Sequence, residues 1–270
     1  MADLSGRVAV VTGAGTGIGR AIALRLAEQG AAVGLIGRRE SPLAEVAAQA
    51  GPARVVAADV SRRGAVDAAF AEIAAELGPL HIVVANAGAG GPNQDGPEDR
   101  WDEILRANLD GAYYCLRAFM RHMAPPTPAE PTESGARRHA VVISSCVARF
   151  GTGGISAYSA AKAGQLGLVR ALAVEWAPQV LVNAICPGWV ETQMAADRMR
   201  EIGEAQARAQ GRAPDAGSAA AARAELIGAL PLQRISQPEE IAALVEFLCS
   251  PGAAAFTGQA FDPNNGAWMG

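Results

Sequence analysis

In the stretch AYSAAKAG, residues 157–164, a tyrosine and a lysine stand four apart among small residues. Residues i and i+4 share one face of a helix, so Tyr158 and Lys162 can act together. A free phenol has a pKa of about 10 and is a poor base at neutral pH. An ammonium beside it favours phenolate and lowers that value. The expected result is a tyrosine that exchanges a proton near working pH. The neighbours Ala157, Ser159, Ala160, Ala161, Ala163 and Gly164 leave room for reactants on that face. An isolated pair of this kind also fits a core tyrosine with a snorkelling lysine, so its meaning depends on its company. Ser145 ends a strand candidate, 13 residues before Tyr158, and its hydroxyl can hold a reacting oxygen near the phenol. Ser144 competes for that role, but alternation along a strand turns it away.

A second group of residues suits phosphates. TGAGTGIG, residues 12–19, follows the first strand candidate and opens the first helix candidate. Gly13, Gly15, Gly17 and Gly19 let the backbone turn sharply and approach a pyrophosphate, and Thr16 lies among them. The following helix then offers free N–H groups and the positive end of its dipole. The spacing is G-x-x-x-G-x-G rather than the commoner G-x-G-x-x-G. Next, GLIGRRE (34–40) closes the second strand, where an acidic residue commonly holds the ribose hydroxyls of NAD. Gly37 stands there instead, followed by Arg38 and Arg39. A guanidinium pairs with a 2′-phosphate and a carboxylate repels it, so NADP(H) is the expected cofactor. Glu40 keeps NAD(H) open as the alternative. Asp59 closes the third strand, either against the adenine or as a cap.

The elements that must position these groups form a regular series. Apolar runs at 7–12, 31–36, 54–59, 81–86, 139–145, 180–186 and 258–262 read as strands covered on both faces. Helical stretches at about 17–30, 41–50, 62–77, 99–123, 156–176 and 237–249 alternate with them. This predicts an α/β fold: one Rossmann-like, doubly wound parallel sheet of about seven strands, spanning residues 1–270 as a single domain. Residues 124–138, rich in proline, read as an exposed loop at the amino end of the sheet, away from chemistry. Residues 191–228 follow a strand, on the ligand side, and read as a substrate lid or as a packed helical pair.

Composition narrows the function classes. The chain has 270 residues and a net charge of −4, so no basic surplus points to nucleic acid or an anionic membrane. Four scattered cysteines form no CxxC or zinc pattern, and no metal is expected. They read as reduced core thiols. The amino end lacks the layout of a secretion signal, no apolar run reaches membrane-spanning length, and a cytoplasmic protein is expected. No G-x-S-x-G elbow occurs and no histidine falls at the carboxyl end of a strand, which disfavours a hydrolase.

TGAGTGIG, Asp59-Val60, Asn86-Ala87-Gly88, Asn108, Ser145, Tyr158-x-x-x-Lys162 and Pro187-Gly188-x-x-x-Thr192 together resemble the short-chain dehydrogenase/reductase family over nearly the whole chain. The resemblance implies NAD(P)(H) binding, interconversion of a small-molecule alcohol and ketone, and a homotetramer or homodimer. It implies that Ile18 packs on the nicotinamide and that Lys162 also bonds its ribose. Asn108 would anchor a water that relays protons from Lys162, and Thr192 with the Val190 backbone would hold the carboxamide. The chain departs from the family in reading Ala85-Asn86-Ala87-Gly88 and in its FDPNNGAWMG tail. A shorter stretch also precedes the sixth strand. Cys146, Val147, Phe150, Trp189 and lid residues from Met194 onward are the expected substrate wall. Arg149 joins them as an anion holder or a surface charge. Two other readings stay open: a 3-ketoacyl-(acyl carrier protein) reductase and a non-catalytic NADP(H)-sensing protein.

Overall fold

The computed structural model describes residues 2–93, 96–124 and 138–270. The proline-rich loop expected at 124–138 falls almost wholly outside these residues.

Seven parallel strands form one sheet in the order β3-β2-β1-β4-β5-β6-β7. They are β1 (Val8–Thr12), β2 (Ala32–Gly37), β3 (Ala53–Ala57), β4 (Ile82–Ala85), β5 (Arg138–Ile143), β6 (Val180–Ile185) and β7 (Ala260–Phe261). Strand β1 is buried throughout because it is covered on both faces. Its side chains divide by the two-residue period: Ala9 and Val11 enter one core, Val8 and Val10 the other. The first core lies under α1 (Gly17–Glu28), α2 (Glu40–Ala50) and α9 (Pro238–Leu248). The second lies under α3 (Arg63–Leu77), α5 (Gly111–His122) and α6 (Ser156–Glu175). Helix α3 lies so close to β2 that a Cβ on Gly34 would stand 2.6 Å from Ile73. The chain reverses its winding between β1 and β4, which are paired through Val10 and Val83. The region outside the carboxyl ends of the strands at such a reversal is the usual ligand position of these sheets.

The single helix expected over 99–123 is three pieces: α4 (Trp101–Leu105), a π turn (Arg106–Asp110) and α5. The π turn centres on Asn108, whose side chain competes for backbone groups and so disturbs the regular ladder. Several strands end earlier than the apolar runs suggest, which places Asp59 and Ser145 in the turns that follow. The 191–228 segment is a pair of helices, α7 (Gln193–Ala209) and α8 (Ala216–Ala229). They pack mainly on each other, with Gly203 so close to Ser218 that a Cβ would sit 2.3 Å from its carbonyl oxygen.

All four cysteines are buried and unbridged. Burial raises the thiol pKa of Cys115 and Cys249 to about 12 and that of Cys186 to about 11. Above about pH 9 the unfolded chain therefore releases thiol protons that the folded chain keeps, and stability falls as pH rises. Each thiol contributes on the order of 1 kcal/mol per pH unit. Lys162, with its pKa lowered from 10.5 to about 8, pulls the other way, but one ammonium does not cancel three thiols. Urea unfolding should show a lower midpoint at about pH 10 than at about pH 8. An equal or higher midpoint contradicts this burial.

Candidate active site

The glycine loop bridges β1 and α1. Thr16 precedes the helix in extended backbone without capping it through its side chain, and no acidic residue lies in the first turn. The first N–H groups of a 12-residue helix are thus left without a side-chain acceptor. Gly17 has φ of +53°, and Gly19 sits so close to Gly13 that a Cβ would lie 2.2 Å from its carbonyl oxygen. Gly15 backs onto Pro42, and Ile18 packs against the first core. This bare, dipolar cradle fits the pyrophosphate of a dinucleotide.

Asn86 acts differently from a plain ligand contact. Its Nδ2 donates to the Thr12 carbonyl at 2.9 Å, and its backbone N–H donates to the Thr12 hydroxyl at 3.0 Å. The Ala87 N–H reaches the same hydroxyl at 3.0 Å. Thr12, fully buried and unremarked in the sequence, therefore ties the end of β4 to the glycine loop. Its only sequence signal is a hydroxyl closing an otherwise aliphatic strand. Val60 turns its side chain into the second core against Gly111, which leaves its backbone as the part that could meet a cofactor.

At the end of β2, Arg38 and Arg39 are exposed. Burial opposes ionisation of Asp59. Its hydrogen bonds from Ser61 and the nearby Arg38 and Arg62 charges outweigh that and keep the carboxyl below its ordinary pKa. Asp59 also accepts the Ser61 N–H at 2.9 Å, so it serves as the turn cap that its position allowed.

The catalytic candidates converge at the carboxyl ends of β4 and β5. Lys162 is 4% exposed, and its Nζ donates to the Ile143 carbonyl at 2.8 Å. The same Nζ lies 5.5 Å from the centre of the Tyr158 ring. Tyr158 is half-buried as a residue, but its hydroxyl is strongly desolvated. Burial pushes the phenol up to about 12, and its hydrogen bond with Ser145 recovers only part of this. The acidified phenol expected from the lysine is therefore not a property of the chain alone. The ammonium lies beside the ring and is held by a carbonyl, while burial acts on the hydroxyl itself. The same burial lowers Lys162 to about 8.

Ser145 begins a 3₁₀ turn (Cys146–Ala148), its hydroxyl accepting the Val147 N–H at 3.4 Å. Ser144 points into the protein and donates to the Lys162 carbonyl at 2.9 Å. Asn108 is wholly buried, and its Nδ2 donates to the carbonyls of Ile104 and Ala89, both at 2.8 Å. Its Oδ1 has no partner and faces Gly88, where a Cβ would come within 2.3 Å. That Cβ position is 3.8 Å from the Lys162 Nζ, so Gly88 keeps open the space between amide and ammonium. Helix α6 has no local side-chain cap. Asn93 supplies one from a distance, its Oδ1 accepting the Ala157 N–H at 2.8 Å. Sequence reasoning had no signal for this cap, which is set by tertiary contact.

Pro187, Gly188, Val190 and Thr192 follow β6 beside this cluster. Pro187 accepts the Cys146 N–H at 2.8 Å. Val190 is buried. Thr192 caps α7 through the Ala195 N–H, and its methyl lies 3.1 Å from the Cβ position of Gly17. Val147, Phe150 and Trp189 are half-buried near the same edge, and Met194 is exposed with its sulfur over Gly90. Arg149 is neither a free anion holder nor a surface charge. It grips Asp262 with two hydrogen bonds, at 3.1 and 2.9 Å. Among the described residues no His, Cys, Asp and Glu group could hold a metal, and no helix is long and apolar enough to cross a membrane.

Comparison with known proteins agrees with this geometry. Residues 7–203 match the family model for short chain dehydrogenases. The chain is 38% identical to the 3-oxoacyl-[acyl-carrier-protein] reductase FabG of Pseudomonas aeruginosa, covering 99% of each. It superimposes with a TM-score of 0.84 on a short-chain dehydrogenase/reductase of Brucella melitensis titled glucose/ribitol dehydrogenase. Identity there is 27%, with 100% of this chain and 99% of that one covered. A 3-ketoacyl-(acyl-carrier-protein) reductase of the same organism, solved in complex with NADH, gives 0.80 at 29% identity, covering 98% of this chain and 100% of that one.

Proposed function

The chain belongs to the short-chain dehydrogenase/reductase family of oxidoreductases, and from that premise we propose that it reduces a small-molecule ketone to a secondary alcohol with NADP(H). The observation that carries this reading is the convergence of Ser145, Tyr158, Lys162 and the unpartnered Asn108 Oδ1 on one cleft. When bound, the nicotinamide supplies the hydride. The protein's own work is then positional and protonic. Ser145 holds the carbonyl oxygen, and Tyr158 gives it a proton. Lys162 holds the ribose and lends positive charge to the desolvated phenol. Asn108 Oδ1 anchors the water that carries replacement protons towards Lys162. The α7–α8 pair, attached mainly to itself, acts as the lid that excludes bulk water.

Preference for NADP(H) rests on Gly37, Arg38 and Arg39. A Cβ on Gly37 meets nothing nearer than Leu43 at 3.4 Å, so an aspartate fits there. Gly37→Asp combined with Arg38→Leu should turn the NADPH/NADH ratio of kcat/KM around by about 100-fold, by removing a phosphate partner and adding a carboxylate. A ratio unchanged within about two-fold assigns the phosphate elsewhere.

The 38% identity to a 3-oxoacyl-[acyl-carrier-protein] reductase favours a second reading, a 3-ketoacyl thioester as the ketone. A panel of aryl ketones, β-keto thioesters and sugars, assayed with NADPH and NADH, decides between them. Turnover confined to β-keto thioesters selects the second. No cofactor oxidation with any carbonyl, despite NADPH binding, selects a sensor and defeats both.

A further inference from the structure

Three chain segments lie side by side at the carboxyl edge of the sheet: 145–149 after β5, 186–188 after β6 and 262–264 after β7. Backbone bonds connect them in series. The Cys146 N–H donates to Pro187, the Cys186 N–H to Phe261 and the Gly188 N–H to Pro263. A Cβ on Gly188 would lie 2.9 Å from the Cα of Asn264, so the last two segments touch. The family resemblance leaves the FDPNNGAWMG tail without a role, yet it is tightly held. Asn264 and Asn265 are buried. Asn264 Nδ2 donates to the Trp268 carbonyl at 3.0 Å. Asn265 adopts φ of +56° and donates to the Ser236 hydroxyl at 3.0 Å.

Across these segments runs the Arg149 side chain. Its Nε donates to Asp262 Oδ1 at 3.1 Å, and its Nη2 donates to Oδ2 at 2.9 Å and to the Ala260 carbonyl at 3.0 Å. Its Cζ stands 5.2 Å from the centre of the Trp268 ring. Both members of the ion pair are only about one-fifth exposed, at 22% and 21%. A two-pronged pair stacked on an indole has a defined geometry that most surface pairs lack.

The other end of the same short turn is Ser145. Within the turn its hydroxyl accepts a long, 3.4 Å bond from Val147 N and meets the Cys146 thiol. The Ala148 N–H to Ser145 and Arg149 N–H to Cys146 backbone bonds, at 3.0 and 2.9 Å, tie Ser145 to residues 146–149, so its placement follows whatever holds that turn from outside. We propose that Arg149 is a positioning residue: gripping Asp262 and Trp268, it clamps the carboxyl-terminal tail onto the 145–149 turn and so holds the Ser145 hydroxyl in register with Tyr158. The inference rests on the Ser145–Tyr158 reading given above.

The test compares Arg149→Met, Asp262→Asn and the double variant with the parent protein. Readouts are kcat, NADPH affinity by fluorescence, and the rate at which iodoacetamide labels Cys146, followed by peptide mass spectrometry without cofactor or substrate. Each single change should lower kcat by about 10- to 100-fold, as a small misplacement of a substrate-holding group does. NADPH affinity should stay within about two-fold, and Cys146, now 6% exposed, should be labelled about ten times faster. The double variant should be no worse than the worse single one, since one interaction is removed twice. Multiplying losses, a kcat within about two-fold of the parent, or unchanged Cys146 labelling overturns the clamp. Trp268→Ala serves if Arg149→Met does not fold. A smaller kcat loss with faster labelling supports the clamp, and parent-like values of both overturn it. If the parent reduces no ketone, the functional reading fails, while the labelling rates still decide whether the tail is clamped.

Discussion

Tyr158→Phe should lower kcat for ketone reduction by about 1,000-fold or more while leaving NADPH affinity within about two-fold. The substitution removes one oxygen from a half-buried ring and leaves the packing of α6 in place. That oxygen is hydrogen-bonded with Ser145, on a ring whose centre lies 5.5 Å from a buried ammonium. With its pKa near 12 it is protonated at neutral pH, the form required to give a proton to a developing alkoxide. Proton transfer by a placed group contributes about 10²- to 10⁴-fold, and loss of the oxyanion contact adds to this. Single-turnover mixing of enzyme, NADPH and ketone, read by nicotinamide absorbance, checks it. Parent-like turnover in the phenylalanine variant would place the proton donor elsewhere.

Lys162→Met separates function from stability. At pH 7 the lysine is mostly charged, yet it is 4% exposed and its pKa has fallen from 10.5 to about 8. That fall corresponds to a cost on the order of 3 kcal/mol for keeping the ammonium inside. Methionine keeps most of the apolar stem and removes the charge. It forfeits the bond to the Ile143 carbonyl, worth about 1–2 kcal/mol with the carbonyl left unpaired. The net effect should be an unchanged or slightly raised Tm together with a loss of about 1,000-fold in kcat/KM. Differential scanning calorimetry and steady-state kinetics on the same preparation give both numbers. A Tm lowered by more than about 5 °C would show that the ammonium stabilises the fold, contrary to its depressed pKa.

The sheet, its helices on both faces and the glycine loop were legible because they rest on short-range patterns. β1 is an aliphatic run closed by Thr12, β6 is one broken only by Asn183, and Gly13, Gly17 and Gly19 directly follow a strand. The pairing of Tyr158 with Lys162 follows from helical spacing alone. What escaped depends on contacts between distant segments. Arg149 gave no sign of Asp262, which lies 113 residues away. Nothing in the Asn93 neighbourhood marks it as the cap of α6, and the Thr12 hydroxyl looks like any strand-end threonine. The π turn at Asn108 hides inside an ordinary helical pattern because its cause is one side chain bonding two carbonyls. Sequence also misjudged the phenol. Spacing reveals that a cation is near but not whether it faces the ring or the oxygen, nor how dry the oxygen is.

Phenolate formation at residue 158 tests the account most directly. Ultraviolet difference titration should be run on the parent and Tyr158→Phe, each with and without bound NADP⁺. Without cofactor, the phenolate signal specific to Tyr158 should stay absent up to about pH 11, as its desolvation requires. With NADP⁺ bound, it should emerge at a lower pH than without it, because the nicotinamide's positive charge would favour the phenolate. An identical titration in the parent and the phenylalanine variant under both conditions would contradict a proton-exchanging tyrosine at the centre of this site.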